Sequence, residues 1–411
     1  MKGMTDTEGF VIIGGGLAGG KAAEALRDQG YGGPLTLVTS ESHHPYERPA
    51  LSKDYLAGSA EKQSLFVHEE QWYADHDVTV LRGVTATSID RGAHTVTLSD
   101  GDRLGYRKLL LATGARPRTL DRPGADASNV YYLRTIEDSE QLKELFANSS
   151  RLLVIGAGWI GLETTAAARK AGVEVTVVES AEQPLIRVLG PELGRIYAEL
   201  HREHGVDLRL NAALDELVIA NGSVVAAKLA DGSTVETDAV LVAVGAQPNV
   251  ELGAEAGLSA DNGLLVNAAM ITDDTDILAC GDVANAFHPF YNKRIRVEHW
   301  ANALKQPATA ARVMRGESAS YAELPYFYSD QYELGMEFVG YIEPGGYDEV
   351  VFRGDQAARE FVAFWLSGGK VVAGMNVNVW DVTDAVKALI RKGTVVDQRM
   401  LTDTSIPLSQ Q

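Results

Sequence analysis

One cysteine, Cys280, stands in a chain of 411 residues. A single thiol cannot close an internal disulfide, form a CxxC redox pair or supply a thiolate cluster. Any electron chemistry must therefore run without a protein dithiol. Basic residues are also scarce: 37 Lys and Arg face 56 Asp and Glu, a formal net charge of −19. Phosphate-rich partners require clustered cations, so neither nucleic acid nor an anionic membrane surface is expected as a partner. Long apolar runs are missing too, since no segment reaches the roughly 18 apolar residues of a membrane span. The first ten residues carry Lys2, Asp6 and Glu8 and lack the apolar core of a secretory leader. These absences lead to the expectation of a cytoplasmic protein with no membrane anchor and no metal site.

What is present is material for large cores. Hydrophobic residues make up 45% of the chain and charged residues 23%, and the length suits two or three domains. Self-comparison finds a duplication. Val11-Ile-Ile-Gly-Gly-Gly-Leu-Ala-Gly19 resembles Leu153-Val-Ile-Gly-Ala-Gly-Trp-Ile-Gly161, and each leads into an Ala-rich segment, a glycine (Gly30, Gly172) and a second β-rich run. The pattern is strand, glycine turn, helix, strand, occurring twice. Gly14 and Gly156 permit the tight turn. Gly16 and Gly158 let a pyrophosphate approach the backbone. Gly19 and Gly161 let helix pack on strand, with the helix N-terminus toward the phosphates. One GxGxxG is weak; two, each inside a βαβ pattern, point to two bound dinucleotides.

The residue closing the second strand separates the two units. Glu179 ends the run Val175-Thr-Val-Val178. A carboxylate there accepts both ribose hydroxyls of an adenosine and repels a 2′-phosphate, and Ser180, Ala181 and Glu182 bring no cation to bind one. That favours NADH over NADPH. In the first unit Thr39, Ser40 and Glu41 share the corresponding place, with Glu41 the candidate ribose ligand. Two further segments resemble each other: Lys108 to Pro117, containing Ala112, Thr113 and Gly114, and Ala239 to Pro248, containing Gly245. Each is an apolar run ending in small residues and a proline, suited to returning the chain from one domain to the other. Thr275-Asp-Ile-Leu-Ala-Cys-Gly-Asp282 then ends a strand on a carboxylate.

In this order, Gly14/Gly16/Gly19, Ala112-Thr113-Gly114, Gly156/Gly158/Gly161, Gly245 and Gly281-Asp282, the whole chain resembles the NADH-dependent ferredoxin reductases of oxygenase and cytochrome P450 systems, within the glutathione-reductase-like flavoproteins. Three more stretches carry the closer likeness: Pro45-Tyr-Glu-Arg48-Pro-Ala-Leu-Ser-Lys53, Val297-Glu-His-Trp300 to Gln306, and Pro325-Tyr-Phe-Tyr-Ser-Asp-Gln-Tyr332. Ala50 stands where the family has a second proline, and Tyr326 and Tyr328 where it often has tryptophans.

The resemblance implies an α/β fold with two Rossmann-like dinucleotide-binding domains and a C-terminal α+β domain. The FAD domain would be discontinuous, 1–117 and 248–323; the NADH domain would span 118–247 and the C-terminal domain 324–411. It assigns Gly14, Gly16, Gly19, Glu41, Arg48, Lys53, Ala112, Thr113, Gly114, Asp282 and Trp300 to FAD. Gly156, Gly158, Ile160, Gly161, Glu163, Glu179 and Gly245 fall to NADH. Lys53 would lie near the reactive N5 edge of the flavin, Trp300 at the isoalloxazine edge, and Glu163 toward the nicotinamide. An ion pair between Lys53 and Glu163 is expected, and these three are the candidate catalytic residues.

With no cysteine pair, electrons would leave one at a time to a small iron–sulfur ferredoxin that feeds a cytochrome P450 or Rieske oxygenase. The alternatives are a rubredoxin, or a quinone or other small acceptor. The chain would be a monomer or homodimer. Lys293, Arg294 and Arg296 are the best candidates for a basic face toward an acidic carrier.

Overall fold

The structure is a computed structural model and describes residues 9–408. The first eight residues, on which the reading of the N-terminus partly rests, lie outside the described residues. Among the described residues no helix is long and apolar enough to cross a membrane.

The chain divides into two compact units. One holds the described residues up to Arg48 together with Lys62–Arg116 and Ala246–Pro325. Its centre is a five-stranded parallel sheet in the order Ile277–Ala279, Lys108–Leu111, Phe10–Ile13, Leu35–Thr39, Val78–Arg82. Parallel strands are covered on both faces and read as continuous apolar runs. Phe10–Ile13 and Leu109–Leu111 accordingly lie in the core. The glycine turn leads from the first strand into helix Leu17–Asp28, which packs against the later helix Trp300–Met314.

The second unit holds Pro49–Glu61, Pro117–Gly245 and the described residues from Tyr326 onward. It repeats the theme with a parallel sheet in the order Asp207–Arg209, Glu174–Val178, Arg151–Ile155, Ala239–Val242, Val130–Tyr131. Helix Trp159–Lys170 follows the glycine turn. The C-terminal part is a five-stranded antiparallel sheet: Tyr326–Gln331, Leu334–Gly340, Lys370–Val377, Glu360–Ser367, Glu349–Asp355. The Gly368-Gly369 pair makes the expected hairpin turn, both with positive φ (54° and 71°). Helix Thr383–Lys392 closes the sheet with Val386, Leu389 and Ile390 inward.

The fold is therefore α/β with two Rossmann-like sheets and an added C-terminal α+β layer. Compactness groups the expected 118–247 and C-terminal domains into one unit and adds the short segment Pro49–Glu61 to them. Buried hydrogen bonds run between the parts of this unit. The Trp365 indole donates to the Leu189 carbonyl at 3.0 Å, and Ser139 Oγ donates to the Leu51 carbonyl at 3.0 Å.

Candidate functional site

The two glycine turns have the same three-part geometry. Gly14 and Gly156 take φ of +126° and +101°, which a residue with a side chain rarely adopts. A Cβ on them would also lie 2.0 Å from the Ala112 carbonyl oxygen and 2.5 Å from that of Ala243. The third glycines abut the first: a Cβ on Gly19 would sit 1.9 Å from Gly14 O, and one on Gly161 2.3 Å from Gly156 O. The middle glycines differ. A Cβ on Gly158 would meet nothing within 4 Å, and one on Gly16 only the Arg48 guanidinium at 4.0 Å. Gly16 and Gly158 are the N-caps of their helices, and neither makes a side-chain cap hydrogen bond. Each turn thus offers an open pocket of backbone N–H groups at the positive end of a helix, the form a pyrophosphate fits.

In the first unit the loop after strand Lys108–Leu111 is pinned beside this cradle. Thr113 Oγ1 donates to the Asn249 carbonyl at 2.7 Å, and Asn249 Nδ2 returns a bond to the Thr113 carbonyl at 2.8 Å. The intervening Gly114 has φ +67°. Arg48 donates to Glu41 Oε1 at 2.7 Å and to the Tyr46 hydroxyl at 2.8 Å. Burial opposes the Arg48 charge, but Tyr46, Glu41 and Asp282 outweigh it and hold the guanidinium more firmly protonated than usual.

Of the three ribose candidates, Thr39 is buried beneath Gly15, where an added Cβ would lie 2.2 Å from its hydroxyl. Glu41 is already engaged at both oxygens, by Arg48 and by the Tyr46 hydroxyl. Asp282 sits on the short 3-10 turn Gly281–Val283, whose first N–H is taken by the buried Gln306 at 2.8 Å. Trp300 opens helix Trp300–Met314 and donates from Nε1 to Glu47 Oε2 at 2.6 Å. Gln306 and Glu47 lie inside stretches that carry the resemblance, yet nothing in those stretches marks them as supports.

In the second unit Glu179 turns back on the glycine loop. Its carboxylate accepts from Ala157 N at 2.8 Å and Ala181 N at 2.9 Å. Ile160 and Val244 are among the few exposed large aliphatics, at 42% and 38%. Ile160 lies on the first turn of the helix and Val244 beside Gly245, whose φ is +106°. Glu163, on the same helix as Ile160, is buried, and Lys53 Nζ lies 2.9 Å from its Oε1. The Lys53 ammonium also faces the Tyr328 ring, 5.3 Å from its centroid. Burial pushes the neighbouring Asp330 carboxyl above its ordinary range, and Lys53 partly counteracts this.

Cys280 is fully buried, and burial pushes its thiol up to about 12. It is a packing residue and not a nucleophile. Arg294 is exposed, and Lys293 and Arg296 are half-buried. Arg294 donates to the carbonyls of Val266 and Asn285, and Arg296 pairs with Glu298 at 2.5 Å.

Two such glycine cradles, each at the N-terminus of a helix that follows a parallel strand, are the framework of a dinucleotide-dependent oxidoreductase. The chain belongs to the pyridine nucleotide-disulphide oxidoreductase family, whose model matches residues 9–307, and a reductase C-terminal domain model matches residues 326–411. FAD and NAD(H) are the dinucleotides implied, and the two open cradles fit them. The chain is 39% identical to putidaredoxin reductase CamA of Pseudomonas putida, over 99% of this chain and 97% of that protein. It is 38% identical to the ferredoxin–NAD(+) reductase component of the anthranilate 1,2-dioxygenase system of Burkholderia cepacia, over 97% and 98%. Among solved structures, that of the covalent putidaredoxin reductase–putidaredoxin complex superimposes with a TM-score of 0.93 at 38% identity, covering 98% of this chain and 97% of that one.

Proposed function

We propose that this protein is an NADH-dependent ferredoxin reductase, passing electrons from NADH through FAD to a small iron–sulfur ferredoxin that supplies a cytochrome P450 or Rieske oxygenase. The observation that carries this reading is the pair of glycine cradles, each with an open middle glycine, in a chain whose lone cysteine is buried. When bound, FAD accepts the hydride of NADH and returns the electrons singly.

The protein's own residues do the holding. The N-terminus of helix Leu17–Asp28 and the Arg48 guanidinium would hold FAD, together with Ala112, Thr113, Gly114, Asp282 and Trp300. The N-terminus of helix Trp159–Lys170 would hold NADH, with Glu179 toward its ribose and Ile160 and Gly245 beside it. Lys53 and Glu163 supply a fixed pair of opposite charges for the hydride exchange. A cytoplasmic location belongs to the same reading, because that is where NADH is supplied. The relatives named for ferredoxin and putidaredoxin reduction support the choice of carrier.

The test is NADH-driven cytochrome c reduction with and without a [2Fe–2S] ferredoxin. Strong stimulation by the ferredoxin is expected. Rapid flavin bleaching by NADH with no stimulation would overturn the carrier and direct attention to rubredoxins or quinones.

A further inference from the structure

Glu163 is buried and both of its carboxylate oxygens are filled. Ser52 Oγ donates to Oε2; Ser329 Oγ donates to Oε1 at 2.7 Å, the oxygen that also faces Lys53. Behind Ser329 the bonds continue. Gln331 Nε2 lies 3.2 Å from Ser329 Oγ, His201 Nε2 lies 2.9 Å from Gln331 Oε1, and His201 Nδ1 lies 3.5 Å from the Tyr332 hydroxyl. Ser329 and Gln331 are two apart on strand Tyr326–Gln331 and so share its inward face. Ser329, Gln331 and His201 are all buried, at 1%, 1% and 0% exposure. Polar groups placed that deep cost free energy unless every one is bonded, and here each is.

The direction of the chain follows from its end. Glu163, ionised against Lys53, only accepts. Ser329 has one proton and must give it to Glu163, so it accepts from Gln331. The Gln331 amide nitrogen therefore points at Ser329 and its oxygen at His201. His201 must carry its proton on Nε2, which leaves Nδ1 as acceptor toward Tyr332. Burial pushes the His201 imidazole down to about 4, so the ring is neutral at ordinary pH. All the donors run toward one anion, and such chains polarise and stiffen one another.

We propose that Ser329, Gln331 and His201 are positioning residues for the hydride exchange: a one-way hydrogen-bond chain that ends on Glu163 and through it fixes the Lys53 ammonium. The proposal rests on reading Lys53 and Glu163 as the charge pair of that exchange.

Anaerobic stopped-flow reduction of the FAD-loaded enzyme by NADH tests it. Ser329→Ala and Gln331→Leu should lower the limiting rate about tenfold while the NADH dissociation constant stays within about twofold. Ser329→Thr, which keeps the hydroxyl, should recover most of the rate. In a Glu163→Gln background, Ser329→Ala should add less than about a twofold further loss, since coupled residues are not additive. Nitrogen NMR of the histidine-labelled wild-type protein gives a readout independent of turnover, with a neutral His201 protonated on Nε2 expected. A proton on Nδ1, an unchanged rate in Ser329→Ala with full FAD content, or losses that multiply in the double variant would overturn the proposal. Wild-type flavin that NADH fails to reduce would instead overturn the reading on which it rests.

Discussion

Substituting the middle and last glycines of the second turn separates nucleotide binding from folding. An alanine methyl at Gly161 would lie 2.3 Å from Gly156 O and 3.2 Å from Ala243 Cβ. Helix Trp159–Lys170 would have to lift off its strand, and overpacking of this kind costs about 1–3 kcal/mol or more. At Gly158 the methyl meets nothing within 4 Å, so the fold loses only the advantage of glycine as an N-cap, at most about 1 kcal/mol. That methyl would occupy the space through which a pyrophosphate reaches the helix. One hydrogen bond to a charged group contributes about 1.5–3 kcal/mol, so losing one raises the NADH dissociation constant about 10- to 150-fold. Gly16→Ala is the matching change in the first unit, where the methyl meets only Arg48 at 4.0 Å. The assay is threefold: FAD content after purification, NADH affinity from flavin-reduction kinetics, and the thermal midpoint. Gly158→Ala should keep FAD and the midpoint but bind NADH weakly; Gly16→Ala should lose FAD; Gly161→Ala should lower the midpoint. If Gly158→Ala bound NADH like the wild type, or lost FAD instead, the assignment of the second cradle to NADH would fail.

Glu179→Ala should weaken NADH about tenfold, the value of one lost ribose contact of about 1.4 kcal/mol, and should narrow the preference over NADPH; kcat/KM with both nucleotides checks this, and an unaltered ratio would remove Glu179 from recognition. Cys280→Ala should retain FAD and turnover, and the native thiol, held up at about 12 by burial, should stay silent to Ellman's reagent until the protein is unfolded. Arg294→Ala removes the donor that serves the Val266 and Asn285 carbonyls. It should therefore lower the thermal midpoint while leaving the Michaelis constant for ferredoxin little changed.

What the sequence made legible, and what it did not, divides along a physical line. Gly14, Gly19, Gly156 and Gly161 are demanded by the backbone itself, through positive φ or a carbonyl within 2.5 Å of the added atom. A local spacing reports such demands. Glu179 stands at a strand end beside such a turn, and its carboxylate accepts from Ala157 N and Ala181 N. The grouping of Pro49–Glu61 and the C-terminal sheet with the second dinucleotide unit was not legible. It involves contacts such as Trp365 to Leu189 and Ser139 to Leu51, which join residues 176 and 88 positions apart.

The charge run Lys293, Arg294, Arg296 lies on the other side of that line. Sequence registers the cations but not the acceptors folded against them, so a cluster read as a docking face is partly committed to internal carbonyls and to Glu298. The Glu163 network combines both lessons. Glu163 and Lys53 stand in recognisable motifs, yet the groups that saturate Glu163, Ser52 and Ser329, are 111 and 166 positions away from it, and His201 is 130 positions from Gln331. A serine or glutamine on a strand has no signature of its own. Only the buried anion at the end of the chain gives these side chains a direction, and that anion has to be located in space before their polarity can be deduced.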